Sequence, residues 1–348
     1  MKSSSLPVFQ SQCLQNHRNS SIELYRIIAT ITVLIVHFNG WFVGGMPERL
    51  DIGNLTTYRF GQAFIESATC ICVNMFLLIS GYFGIKLKWI SVAKIWLLLL
   101  FIYVPFYLIQ ALFEQNLRLK DFVYSFFVLS KSGYFVQCYL MLMFLSPVLN
   151  SFIEKQKENL AKWTLGLIIV EFWFGEIMQL DCLGFGAGYS VMHFVLMYMI
   201  ARCVYLNKEK LMRIKNLYWI VGYFICTVII LLLYVLGIRW TFNYSNPIVI
   251  ISSICTFMPF VYHSFHNKII NWIASSTLAV YIIQVTNPVY KYLVEIDQYL
   301  LANYSYRGYL LTVIGVILAS FMFFILYDKV CQLGIQPIMN RIKNIIEG

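Results

Sequence analysis

Long apolar segments, separated by short polar stretches, repeat along almost the whole chain. The first runs from Ile22 to Phe42, and nine more follow at 63–84, 92–113, 134–153, 160–180, 188–205, 217–237, 247–265, 272–294 and 308–330. A helix rises about 1.5 Å per residue, so about 20 residues cross a hydrocarbon core of about 30 Å. The pattern therefore predicts an all-α, polytopic integral membrane protein with about ten transmembrane helices.

Composition agrees with this class, since 60% of the residues are hydrophobic, 12% are charged and the mean hydropathy is +0.71. These values exclude a soluble globular protein. The segment 1–21 is polar and lacks the apolar core and cleavage site of a signal peptide, so we expect the first span to act as the targeting signal. All loops are short, which predicts a single transmembrane domain over 1–348 and no separate soluble domain.

Basic residues are distributed unevenly between the two sides of the predicted bundle. With a cytoplasmic N-terminus, 17 of the 26 Lys and Arg residues fall on the inner side, eight fall in outer loops and Arg26 lies within the first span. The positive-inside rule then predicts that both the segment 1–21 and the tail 331–348 are cytoplasmic. The formal charge of +10 reflects these basic loops, so we expect the lipid bilayer and no nucleic acid as a partner. The nine cysteines are scattered without the spacing of a metal site or a disulfide framework, and no metal is expected.

Two polar residues within the first span share one helical face. Arg26 and His37 are eleven residues apart, which at about 100° per residue brings them within roughly 20° of each other after about 16 Å of rise. Ionisable groups inside a span usually face the bundle interior or a wet cavity, so this stripe indicates a functional slot. The alternative is that Arg26 reaches the headgroups, paired with Glu23, while His37 only packs against neighbouring helices.

An acidic and aromatic cluster, Glu171, Trp173 and Glu176, lies near the outer end of the fifth predicted span. Two carboxylates and a tryptophan are suited to binding a sugar or orienting a base. The alternative is a structural pair tied to Arg239 or to another cation of the outer loops.

Five stretches resemble, in order, the membrane acyltransferase family three, whose prokaryotic members carry an arginine and a histidine separated by ten residues in the first span. They are RNSSIELYRIIATITVLIVHF at 18–38, VNMFLLISGYFGIK at 73–86, YFVQCYLMLMFLSPVLN at 134–150, GYSVMHFVLMYMIARC at 188–203 and SSTLAVYIIQVTNP at 275–288. The resemblance implies an O-acyltransferase of the bacterial inner membrane. Its donor would be acetyl-CoA or another short acyl-CoA, used as a co-substrate without a tightly bound cofactor. Its acceptor would be a hydroxyl of a surface polysaccharide or of its lipid-linked precursor.

The resemblance also implies roles for individual residues. His37 would act as the general base or proton relay, and Arg26 would neutralise the charge of the donor. Lys86, Lys88 and Lys94 occupy the loop where the family commonly carries phosphate-binding arginines, and they are candidate donor-binding residues.

The sequence departs from the family pattern in the ninth span, where Gln284 stands in place of a histidine. A glutamine forms hydrogen bonds but exchanges no proton near neutral pH, so it remains a candidate substrate-binding residue only. A second function stays open, namely a transporter or flippase of a lipid-linked glycan in which Arg26 and His37 gate the path or couple protons.

Overall fold

The computed structural model describes residues 19–47, 56–115, 118–126, 133–180 and 184–347. This part of the chain is 81% helical and contains no β-strand, as the apolar pattern predicts. The α-helices are α1 (Ser20–Val36), α2 (Thr57–Thr69), α3 (Cys72–Phe83), α4 (Trp89–Glu114), α5 (Leu119–Phe126), α6 (Tyr134–Lys155), α7 (Leu160–Glu171), α8 (Val191–Leu206), α9 (Lys208–Leu211), α10 (Asn216–Val235), α11 (Pro247–Tyr262), α12 (Lys268–Ala274), α13 (Thr277–Gln284), α14 (Val289–Asn303) and α15 (Tyr306–Glu347).

Six helical segments of the described chain are long and apolar enough to cross a membrane. They are Ser20–Trp41, Thr57–Phe83, Trp89–Glu114, Tyr134–Lys155, Asn216–Val235 and Tyr306–Ile345. A seventh is present if the bent pair Lys268–Gln284 and Val289–Asn303 counts as one span. The apolar helices α8 and α11 are shorter than these. By length and composition alone, six or seven segments of the described chain can span a membrane, which agrees with a multi-pass membrane protein and leaves the expected count of about ten a prediction.

Two of the predicted spans differ in shape from the straight helices that the sequence suggests. The predicted span 272–294 is interrupted, and the helices on either side of the break, which ends at Val289, meet at 79°. The predicted span 160–180 begins as α7 and continues as a π-helical segment, Phe172–Ile177. Window-averaged hydropathy does not resolve either feature, because the few polar residues at the break, such as Thr286 and Asn287, are averaged with the apolar helices on both sides.

Helix α1 lies at the centre of the bundle, where it contacts α2, α3, α11, α12, α13 and α15. Its first turn is capped by Asn19, whose side chain accepts a hydrogen bond from the backbone N–H of Ser21. The hydroxyl of Ser20 bonds Asn271 at 2.8 Å, which ties this end to α12. The Tyr25 side chain is wholly buried and bonds Thr256 of α11 at 2.9 Å. These contacts fix the helix that carries both Arg26 and His37.

Candidate functional site

His37 lies at the junction where α1 changes into a π-helical turn, His37–Trp41. The change is visible in the backbone, since the N–H of Phe42 donates to the carbonyl of His37, five residues back, at 2.8 Å. π-Helical turns within α-helices frequently occur at functional sites. Asn39 in this turn exchanges two hydrogen bonds with Gln62 of α2, of 2.7 and 2.9 Å. The turn that carries His37 is therefore held against α2.

The imidazole of His37 contacts Gln284, the candidate substrate-binding residue of the ninth predicted span. Nδ1 of His37 lies 3.1 Å from Oε1 of Gln284, and the glutamine is wholly buried. An amide oxygen accepts hydrogen bonds, so in this arrangement Nδ1 carries the proton and Nε2 carries the lone pair. Nε2 of the Gln284 amide has no hydrogen-bond partner in the described chain. With this orientation of the amide, Gln284 favours the tautomer that leaves the lone pair of His37 on Nε2.

Two cavities flank α1, one at each end of the Arg26–His37 stripe. The Arg26 cavity has a volume of about 230 Å³ and is lined by Arg26, Phe76, Ser80, Phe135, Tyr139, Ala274, Ser275, Thr277, Leu278 and Tyr281. The His37 cavity has a volume of about 430 Å³ and is lined by Val33, Val36, His37, Gly40, Trp41, Gly45, Met46, Glu66, Cys72, Val73, Tyr134, Tyr189, Tyr244, Tyr281 and Val285. Tyr281 lines both, so a single side chain borders the two cavities.

Arg26 pairs with Glu23 and also lines its cavity. Nη1 of Arg26 lies 3.0 Å from Oε2 of Glu23, an ion pair of successive helical turns. Arg26 can bind Glu23 and also present donors to the cavity, because a guanidinium carries five N–H donors in a planar fork. The cavities that Arg26 and His37 line share Tyr281, which agrees with the predicted placement of both residues on one face of α1.

A further cation lies beside the Arg26 cavity. Nζ of Lys329 donates to the hydroxyl of Ser275, a lining residue, at 2.7 Å and to the carbonyl of Trp272 at 2.8 Å. Lys94 lies within electrostatic range of Lys329. Positive charge is thus concentrated at this end of the stripe, and sequence reasoning missed the contribution of Lys329 because it counted only as a loop-side charge.

Lys86 and Lys88 line neither cavity, and both are exposed. The loop that carries them is nevertheless anchored at Ile85, whose N–H donates to Tyr198 at 3.1 Å and whose carbonyl accepts from Asn150 at 2.8 Å. The loop backbone is therefore held in place while the two ammonium groups face solvent.

The three residues of the acidic cluster in the fifth predicted span line neither cavity. Oε2 of Glu171 is 3.2 Å from Nδ1 of the buried His193. Glu176 is buried and accepts hydrogen bonds from Asn243, at 2.6 Å, and from Ser245. The Trp173 side chain is 54% exposed. The assignment of these three residues to substrate binding stays a prediction.

Glu66 is the functional candidate that sequence reasoning missed. It lines the His37 cavity, and its Oε2 accepts a hydrogen bond from Nδ2 of Asn39 at 2.8 Å. The available signal was a single acid inside the apolar run 63–84. Tyr244 lines the same cavity, and burial raises the pKa of its phenol well above the ordinary value, so it stays neutral.

The chain matches a model of a known protein family. The family model described as an acyltransferase domain matches residues 19–328, which include both cavities and most of the described chain. No curated protein and no solved structure matches the chain significantly.

Proposed function

Because the chain belongs to acyltransferase family 3, we propose that it is a membrane O-acyltransferase that moves an acetyl group, or another short acyl group, from coenzyme A to a sugar hydroxyl. The acceptor in this proposal is a cell-surface polysaccharide or its lipid-linked precursor in a bacterial inner membrane. The observation that carries the proposal is the pair of cavities along one face of α1, a cationic one at Arg26 and one with a base at His37, both bordered by Tyr281.

The proposed topology has ten crossings and both termini in the cytoplasm. Hydrogen bonds at one end of the bundle join the pairs Ser20–Asn271, Ile85–Tyr198, Ile85–Asn150 and Leu211–Tyr262. Hydrogen bonds at the other end join the pairs Asn39–Gln62, Phe42–Gln298, Pro47–Tyr234, Glu176–Asn243 and Ala187–Tyr244. Successive long segments connect the two ends alternately, which supports ten crossings when the shorter helices are included. The basic loops favour the Arg26 end as the cytoplasmic one.

In this orientation the donor enters from the cytoplasm at the Arg26 cavity. Its phosphates meet the positive charge of Arg26, Lys94 and Lys329, with Lys86 and Lys88 at the adjacent loop. The two ends of the stripe are about 16 Å apart along the helix, a length of the order of an extended pantetheine arm. The thioester would then reach the His37 cavity while the nucleotide stays at the cytoplasmic face.

His37 acts as the general base in the proposed reaction. Its Nε2 takes the proton of the acceptor hydroxyl as the oxygen forms a bond to the thioester carbonyl carbon. The carbon–sulfur bond then breaks, and the coenzyme A thiolate leaves and receives the proton from the imidazolium. Gln284 accepts from Nδ1–H throughout and stabilises the charge that the ring carries between the two steps.

The test uses the purified protein in detergent, with labelled acetyl-CoA and a glycan acceptor. We expect ester formation by the wild type and a loss of turnover of about a hundredfold or more in His37→Asn, with donor affinity by calorimetry nearly unchanged. His263→Asn is the matched control, because His263 is exposed and lies outside both cavities. Absence of acyl-CoA binding, together with proton-coupled transport of a glycan lipid, would contradict the proposal.

A further inference from the structure

The His37 cavity has the size and lining of a small-molecule site. Its volume of about 430 Å³ falls within the range of about 300 to 1,000 Å³ that is usual for ligand pockets. Four tyrosines and one tryptophan provide apolar ring faces together with hydroxyl groups, and these are Tyr134, Tyr189, Tyr244, Tyr281 and Trp41. Such a lining can contact the C–H faces of a sugar ring and also hydrogen-bond its hydroxyls.

Glu66 is the one carboxylate among the described residues that line this cavity. It is 8% exposed, and Asn39 holds its Oε2 against the π-helical turn that carries His37. A carboxylate has about four lone-pair sites, so the bond from Asn39 leaves capacity to accept from ligand hydroxyls. A base and a hydroxyl-binding acceptor therefore lie in the same cavity.

The charge of the lining restricts which ligands fit. No lysine or arginine is found among the lining residues that the structure describes. When Glu66 is ionised, an anionic ligand would place its charge near this carboxylate in a largely buried site, where like charges a few ångströms apart repel strongly. An uncharged ring of the same size avoids this repulsion.

We propose that Glu66 binds the acceptor in the His37 cavity and that it selects an uncharged glycosyl unit over an anionic one. This inference rests on the proposed function and narrows its acceptor class. Glu66 accepts hydrogen bonds from ring hydroxyls and holds the sugar beside Nε2 of His37, and in its ionised form it disfavours uronic and sialic acids at the reacting position.

The experiment measures sugar binding without any acyl donor, so it does not depend on acyl transfer. Saturation-transfer NMR on the detergent-solubilised protein, at pH 8 and low ionic strength, compares methyl β-glucopyranoside with methyl β-glucopyranosiduronate. The two sugars share their ring hydroxyls and differ only at C6, which is a hydroxymethyl group in the first and a carboxylate in the second. We expect the wild type to bind the neutral glycoside about tenfold to a hundredfold more tightly.

Glu66→Gln should bring the two affinities to within about threefold of each other, because the repulsion disappears while a side-chain oxygen can still accept from Asn39. Glu66→Asp should keep the preference, and Glu154→Gln, an exposed carboxylate paired with Lys157, should leave it unchanged. The inference is overturned if the wild type binds neither sugar or both equally, or if Glu66→Gln keeps the preference. Selective binding with no ester formed from acyl-CoA would instead overturn the proposed function alone.

Discussion

Replacing Gln284 with leucine tests whether this residue holds His37 in its active form. The substitution keeps a side chain of similar volume in a wholly buried position but removes the oxygen that lies 3.1 Å from His37 Nδ1. Without that acceptor, the ring no longer favours the Nδ1–H tautomer, and Nε2 loses its fixed lone pair. The leucine removes an amide nitrogen that has no partner in the described chain but leaves Nδ1 of the half-buried His37 without its acceptor, so we expect the free energy of unfolding to fall by less than the about 1 to 3 kcal/mol of a fully buried unpaired group.

The expected loss follows from the charge on the ring during proton transfer. A hydrogen bond to a charged group contributes about 1.5 to 3 kcal/mol, and about 1.4 kcal/mol changes a rate tenfold. Gln284→Leu should therefore lower kcat by about tenfold to a hundredfold. Gln284→Glu should retain activity, because a carboxylate also accepts from Nδ1–H. In a His37→Asn background, Gln284→Leu should change the residual rate less than about twofold, since the base that it positions is absent.

The assay is acyl transfer at saturating donor and acceptor, with folding checked by gel filtration and thermal unfolding. Gln332→Leu is the matched control, since Gln332 is a partly buried glutamine that bonds Asp328 outside both cavities. Equal effects of Gln284→Leu in the wild-type and His37→Asn backgrounds would show that the two residues act independently. That result would refute the tautomer argument.

Three further sets of variants, at Arg26, at Lys86 with Lys88, and at Tyr281, address the donor path. Arg26→Gln should weaken acyl-CoA binding by about 1.5 to 3 kcal/mol in calorimetry, with Arg26→Lys intermediate, whereas a loss of kcat that high donor concentration does not restore would contradict a donor-binding role. Replacing Lys86 and Lys88 together by glutamine should flatten the salt dependence of acyl-CoA binding, and an unchanged slope would remove both from the donor site. Tyr281→Ala should open the wall shared by the cavities and favour butyryl over acetyl donors by about tenfold, while an unchanged chain-length profile would argue against a constriction.

The first helix shows which parts of the site follow from local sequence. The Arg26–His37 stripe depends only on helical periodicity, so the spacing predicts correctly that both residues face one side of α1. The π-helical turn at His37 is not visible in the same pattern, because it depends on the bonds that Asn39 makes to Gln62 of another helix.

The contacts of Gln284 and Glu66 show what local sequence does not contain. Gln284 meets His37 across 247 positions, and this pairing depends on how α13 packs against α1 and on the bend that follows it. Glu66 is the single acid within the apolar run 63–84, and an acid inside a span is itself a functional signal. Its place in the wall of the His37 cavity depends on the packing of α2 against the π-helical turn, which local sequence does not contain.

Glu171 illustrates a prediction that the geometry makes testable. Nε2 of His193 lies 2.8 Å from Oδ1 of Asn74, whose Nδ2 donates to the carbonyl of Tyr244 at 3.0 Å. Oδ1 is therefore an acceptor, and Nε2 of His193 must carry a proton. A second hydrogen bond joins Nδ1 of His193 to Oε2 of Glu171 at 3.2 Å. This buried chain joins α7, α8 and α3 to Tyr244, a wall residue of the His37 cavity.

Glu171→Gln and Glu171→Leu separate a structural role from substrate binding. The glutamine amide can donate to Nδ1 of a neutral His193, so every bond of the chain survives and thermal stability should change little. The leucine leaves Nδ1 buried without a partner, which should lower the stability by about 1 to 3 kcal/mol. A structural role predicts that Glu171→Gln keeps the wild-type KM for the acceptor glycan. A large rise in that KM at unchanged stability would instead favour direct contact between Glu171 and the acceptor.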